Sequence, residues 1–196
     1  MGCLAWLLLQ TFNLILLTAV ELRGLRTLLE RCFNHPGEQP DKPNFEPNDQ
    51  ESYTVFKTLY ITWCHNPVAA LSLCLLAQAY HISSLLIPKF CDMSISLDVL
   101  MQLDRLVLLV ESPIFLRQRL QLMEPRSLKS QLLIKTLYGV LMLLPQSTAF
   151  TTLNERLKSI TPLYMMLNQT VRSSATLCSC SPRRQLMVCL ANSVLI

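Results

Sequence analysis

The chain has 196 residues, a length that suits one domain, with 51% hydrophobic and 15% charged side chains and a formal charge of +4. Forty-two leucines make it apolar enough to offset its ordering entropy, which excludes disorder throughout. Its four isolated glycines exclude collagen-like repeats and Gly-rich phosphate loops.

Leu4–Val20 comes first and is apolar. No positive charge precedes it, and Gln10, Thr11, Asn13 and Thr18 interrupt it. A signal peptide wants a basic start and a membrane span wants about 20 apolar residues. Carried on to Arg31, the segment reads as one amphipathic packing helix occupying residues 1–34, with Leu7, Phe12, Ile15, Val20, Leu25 and Leu29 apolar. A small membrane-anchored helical protein using Leu4–Val20 is the alternative. Met-Gly-Cys opens the chain, but Trp6 stands where a myristoylation signal wants Ser or Thr.

Residues 35–50, with four prolines, form a linker that holds neither helix nor strand. Beyond it the spacing predicts consecutive helices over residues 51–160, starting with Ser52–Trp63. Asn66-Pro67 is an N-cap followed by proline at the first helical position, and launches Val68–Tyr80. A shorter helix, Ile82–Phe90, is kinked or ended by Pro88. Ser96 caps the next, whose core stripe is Val99, Leu103, Leu106 and Val110. Ser112-Pro113 launches Ile114–Met123, and Ser127 opens a helix ending at Pro145. Leu132–Leu144 is apolar on nearly every side, the mark of a helix in the middle of a stack. Gln146-Ser147 caps a last helix, Thr148–Ile160. Residues 161–196 lack sustained periodicity and read as an unstructured tail, with Val194-Leu195-Ile196 as a weak carboxy-terminal ligand pattern. The fold class is all-α: antiparallel helix pairs stacked as an α-solenoid fragment, or an irregular helical bundle.

Charge and cysteine usage narrow the partners. Residues 1–112 hold 7 basic and 11 acidic side chains, whereas residues 113–196 hold 10 and 2. The basic half suits an acidic protein surface or an anionic headgroup, with Arg117, Arg119, Arg126 and Lys129 as candidate contacts. The basic residues lack interleaved aromatics, so no nucleic acid is expected. Eight cysteines without a CxxC pair fit a reduced, cytosolic compartment and no metal site.

No catalytic constellation emerges. GxGxxG, GxxxxGK[ST] and GxSxG are absent. Asp104 and Glu111 are seven apart on one helix face, roughly 10.5 Å along its axis at the α-helical rise, too far for a paired-carboxylate glycosidase. They read as solvated helix charges. Cys64-His65 reads as a helix end, because catalytic partners meet through the fold, not as neighbours in sequence. Tyr60, Trp63, Tyr80 and Phe115 are the candidate partner anchors, since aromatics are enriched at interface hot spots. Core filling is the competing reading for all four. The chain is expected to be non-catalytic, with no cofactor.

Three blocks carry a family resemblance over roughly residues 7–158. The first is Trp63-Cys64-His65-Asn66-Pro67-Val68, Leu71-Ser72-Leu73-Cys74, Gln78, Tyr80 and Lys89-Phe90. The second is Asp104, Leu106-Val107, Glu111 and Pro113-Ile114-Phe115 through Leu122. The third is Leu133-Ile134-Lys135, Leu137-Tyr138-Gly139 and Leu141-Met142-Leu143-Leu144-Pro145-Gln146-Ser147. Together they resemble the carboxy-terminal domain of the vacuole-morphology scaffold of the phosphatidylinositol 3-phosphate 5-kinase complex. The resemblance implies a HEAT/armadillo-like helical-repeat scaffold without catalytic residues. It would self-associate into a homo-oligomer and hold the lipid kinase with a Sac-type phosphoinositide phosphatase, governing phosphatidylinositol 3,5-bisphosphate. It further implies a cytosolic protein, peripheral on endosome and vacuole or lysosome membranes.

Overall fold

The computed structural model describes residues 2–34, 49–93 and 95–175, with side chains described over 7–34, 49–90, 92–93 and 95–166. Among the described residues there are nine α-helices, two short 3-10 turns and no strand. The all-α class read from the sequence is therefore the observed one.

α1 (Gly2–Thr18) stops because Ala19 is extended, at φ −67° and ψ 129°. A 3-10 turn (Val20–Leu22) leads into α2 (Arg23–Arg31), and the two helices meet at a 75° bend. The last carbonyls of a helix have no partner within it. Here Arg26 Nη1 donates to Leu16 O at 2.8 Å and Ala19 O at 2.6 Å, putting a cation on the negative end of α1. The single helix expected over residues 1–34 is thus two, folded back by an arginine that periodicity cannot weigh.

Residues 35–48 of the linker lie outside the described residues. α3 (Gln50–Trp63) starts two residues earlier than expected, at an Asp49 cap. Asp49 accepts from Glu51 N at 3.2 Å and from Ser52 Oγ at 2.9 Å. Those bonds, the Ser52 hydroxyl first, hold its carboxyl below the ordinary range. α4 (Pro67–Leu76) starts where the Asn66-Pro67 pair predicts, with Asn66 Oδ1 accepting from Val68 N and Ala69 N at 3.0 and 3.1 Å.

α4 ends in a Schellman turn. Ala79 N bonds to Cys74 O and Gln78 N to Leu75 O, with Gln78 left-handed at φ 61°. A side chain larger than glycine is disfavoured there. Gln78 is held by two side-chain bonds: its Nε2 donates to Glu30 O at 3.3 Å, and its Oε1 accepts from Gln121 Nε2 at 2.6 Å. α5 (Tyr80–Asp92) runs through Pro88 and past the predicted end.

α6 (Leu97–Val110) is capped by Ser96 and buries the predicted stripe Val99, Leu103, Leu106 and Val110. Instead of one helix from Ile114, a 3-10 turn (Pro113–Phe115) precedes a short α7 (Leu116–Gln121). α8 (Leu128–Leu143) and α9 (Thr148–Ala175) complete the described chain. α9 overturns the unstructured reading of residues 161–175. Pro162 interrupts its hydrogen bonding, yet Tyr138 Oη meets Thr161 Oγ1 at 3.1 Å, and Tyr164 Oη bonds to Ser130 Oγ and to Leu122 O. Side-chain anchors on both sides of the proline carry the helix across it. The rest of the expected tail, 176–196, lies outside the described residues.

The central helix is α4, buried at every residue from Val68 to Leu76 and packed by α1, α2, α3, α5 and α6. α8, expected to fill that role, leaves Met142 69% exposed. It packs most closely on α5, where a Cβ on Gly139 would stand 2.5 Å from Ile87 Cγ2.

Candidate partner-docking surface

The four predicted aromatic anchors divide on burial. Tyr80 is 1% exposed, Phe115 0% and Trp63 5%, so these three fill the core and do not present a docking surface. The reason is positional: Tyr80 opens α5 beside the α4 turn, where its hydroxyl bonds to Gln121, and Phe115 closes the 3-10 turn under α7. Burial pushes the Tyr80 hydroxyl well above its ordinary range. Tyr60 is half-buried, stacked on Phe56 with ring centroids 5.7 Å apart. Burial pushes its hydroxyl up to about 12, with Cys74 and Cys64 adding smaller effects.

The four predicted basic contacts are not one patch. Lys129 is 7% exposed, and its Nζ donates to Phe33 O at 2.7 Å, which removes it from any lipid-facing surface. Arg119 donates to the carbonyls of Glu111 and Ser112 and lies 3.6 Å from the Glu111 carboxylate. Arg117 pairs with Glu30 at 3.1 Å. Burial raises the Glu30 carboxyl above its ordinary value, and Arg117 and Arg26 only partly oppose that. Arg126 is exposed.

Asp104 of α6 and Glu111, which caps the end of that helix, do structural work instead of standing as solvated charges. Asp104 accepts from Ser147 Oγ at 2.9 Å, tying α6 to the start of α9. Glu111 takes a two-pronged contact from Arg156, at 3.0 and 2.6 Å. Cys64 and His65 are both exposed at the end of α3. Among the described residues, no three His, Cys, Asp or Glu side chains gather closely enough to hold a metal ion. No single described helix is long and apolar enough to cross a membrane; the α1–α2 pair passes on length and composition only as a bent unit. Leu9, Leu16 and Leu17 of α1 are in the core.

What the sequence reading missed is a groove between α1 and α6, floored by the start of α4. Gln10, Asn13, Leu14 and Leu17 line one side, Gln102, Arg105, Leu106 and Leu109 the other, and Val68 the base. Its polar floor follows from helix capping. Asn66 spends its Oδ1 on two backbone N–H groups, so its Nδ2 must donate, and it does so to Gln102 Oε1 at 2.9 Å. That fixes the orientation of the Gln102 amide and leaves its buried Nε2 without a partner. Outside the groove lining, α1 exposes Leu7, Leu8, Phe12 and Ile15, and α6 exposes Leu97, Met101 and Leu108. A surface of this kind, an apolar helix pair with a few polar groups, suits protein binding.

Residues 3–160 match the family described as "Vacuolar protein 14 C-terminal Fig4p binding". The chain is 46% identical over 157 residues to "Protein VAC14 homolog" of Arabidopsis thaliana, covering 79% of this chain and 19% of that protein. It is 44% identical over 160 residues to the Schizosaccharomyces pombe protein of the same name, covering 81% and 18%. Against "Vacuole morphology and inheritance protein 14" of Saccharomyces cerevisiae it is 36% identical over 154 residues, covering 79% and 15%. The chain thus spans about a fifth or less of the length of these relatives. No solved structure matches it. With the all-helical fold and a family match over most of its length, the chain belongs to the vacuolar protein 14 carboxy-terminal, Fig4p-binding family.

Proposed function

We propose that this chain is a non-catalytic scaffold module that binds a Sac-type phosphoinositide phosphatase within the complex controlling phosphatidylinositol 3,5-bisphosphate. The observation that carries this reading is the family match over residues 3–160, which spans all the packed helices from α1 to the middle of α9. Two structural features support it. The carboxylates weighed as a catalytic pair, Asp104 and Glu111, are bound by Ser147 and Arg156, and the α1 and α6 faces leave large apolar side chains in solvent. Self-association, binding of the phosphatidylinositol 3-phosphate 5-kinase, and a cytosolic location peripheral to endosome and vacuole or lysosome membranes complete the proposal.

The test is reconstitution. The full chain is mixed with the purified Sac-type phosphatase, and separately with the kinase, and each mixture is passed over a sizing column beside the chain alone. Co-elution with the phosphatase is the expected result, and an elution volume smaller than a monomer's is expected for the chain alone. A phosphatase that elutes unshifted at micromolar concentration of both proteins refutes the scaffold reading.

A further inference from the structure

The α1–α6 groove carries more information than an apolar patch, because its one formal charge is positive and stands beside an unpaired buried donor. Its lining holds one charged side chain, Arg105, and no acidic one. Arg105 is exposed and forms no ion pair with a carboxylate among the described residues. Gln102 is 6% exposed, and its Nε2 is a buried donor with no acceptor. A buried donor left unpaired is destabilising, so an acceptor supplied from outside recovers energy the free chain lacks.

Size and wall chemistry narrow the acceptor. The groove has a cavity volume of about 30 Å³. One water needs roughly 10–15 Å³, so two oxygens fit side by side, whereas a small-molecule site runs to about 300 Å³ or more. The walls are Leu14, Leu17, Leu106 and Leu109 over Val68. A phosphate group, with four oxygens, exceeds that volume, whereas the two oxygens of a carboxylate fit it and can meet both donors.

Resting on the scaffold reading above, we propose that this groove receives an aspartate or glutamate side chain of the Sac-type phosphatase, flanked there by aliphatic residues, with Arg105 and Gln102 as the groups that bind the carboxylate. Charge complementarity fixes the position.

The experiment measures phosphatase affinity for the full chain and for two variants, with melting of each followed in parallel. Arg105→Glu is expected to weaken binding by about tenfold or more and to flatten its salt dependence, with melting unchanged because Arg105 carries no side-chain hydrogen bond or ion pair among the described residues. Lys135→Glu, on the exposed side of α8, makes the same change in net charge away from the groove and is expected to bind as the parent does. Parent-like binding by Arg105→Glu overturns the groove assignment while leaving the scaffold reading intact. Equal weakening by Lys135→Glu also overturns it, as does a change in self-association with phosphatase affinity unaltered. An unmodified chain that binds no phosphatase overturns the scaffold reading itself.

Discussion

Asn66 joins the start of α4 to the floor of the groove, and its two jobs can be removed one at a time. Asn66 is 0% exposed; its Oδ1 satisfies two orphan N–H groups of α4, and its Nδ2 satisfies Gln102 Oε1. Asn66→Ser keeps a capping oxygen, since serine caps about as well as asparagine, but cannot reach Gln102. It leaves one buried acceptor without a donor, at a cost of about 1–3 kcal/mol. Asn66→Ala loses that bond and the cap as well, adding roughly 0.5–2 kcal/mol. For a domain of this size 1 kcal/mol shifts the melting temperature by about 2–4 °C. The serine variant is therefore expected to melt about 2–12 °C below the parent, and the alanine variant several degrees lower still. Gln102→Leu on the serine background is expected to recover part of the first loss, because removing both polar partners is nearly neutral. Far-ultraviolet circular dichroism against temperature is the assay. Serine and alanine variants that melt together refute the division of roles, and two variants that melt like the parent refute the cap itself.

Four further outcomes follow from the same geometry. Gln78→Gly relaxes the φ of 61° but deletes the bonds to Glu30 and Gln121, so the two effects offset to within about 1 kcal/mol; Gln78→Ala keeps the strain and loses the bonds, and denaturant melts are expected to place it about 1–2 kcal/mol lower. Gly139→Ala drives a methyl against Ile87, costing about 1–3 kcal/mol, and Ile87→Ala in the same chain is expected to recover part of that loss in the melting temperature. Phe115→Ala is expected to lose about 3–5 kcal/mol of folding stability with any loss of partner binding following from it; weakened binding at unchanged melting would instead make Phe115 an anchor. Burial raises Glu30 above its ordinary 4.5, so between the two values the folded chain holds a proton the unfolded chain has released. Stability contributed by Glu30 accordingly falls as pH rises through that window, and Glu30→Gln is expected to reduce the slope of melting temperature against pH there.

The helices were legible wherever one local signal decided them. Asn66-Pro67 and Ser96 act within three residues of themselves, and both starts are where the sequence puts them. The α6 stripe was legible because four positions on one face all meet the core. The misreadings have a common cause in side chains that reach across the sequence. Arg26 folds α1 back onto α2 from seven and ten residues away, and Tyr164 holds α9 past Pro162 through Ser130. Periodicity also ranked α8 above α4 as the enclosed helix, because it counts apolar residues and cannot see how many neighbours surround them. α4 is short, but five other helices pack on it.

The candidate site was illegible for a related reason. Aromatics mark hot spots, yet a helix junction is also where a large ring fills the core, and Trp63, Tyr80 and Phe115 do that. Apart from Arg105, the groups that give the surface a chemical preference are amides, which carry no periodic or charge signature. Asn13, Asn66, Gln78, Gln102, Gln118 and Gln121 are scattered through a leucine-rich chain, and each bonds to a group from another part of the sequence or to a helix terminus. A leucine-rich core of interchangeable contacts sets stability without setting a unique arrangement. Buried amides do the second task, since each has donors and acceptors that only one arrangement satisfies. Where one of them, Gln102, is left with a donor to spare at the edge of that core, the device that fixes the packing also gives the surface its preference for an acceptor.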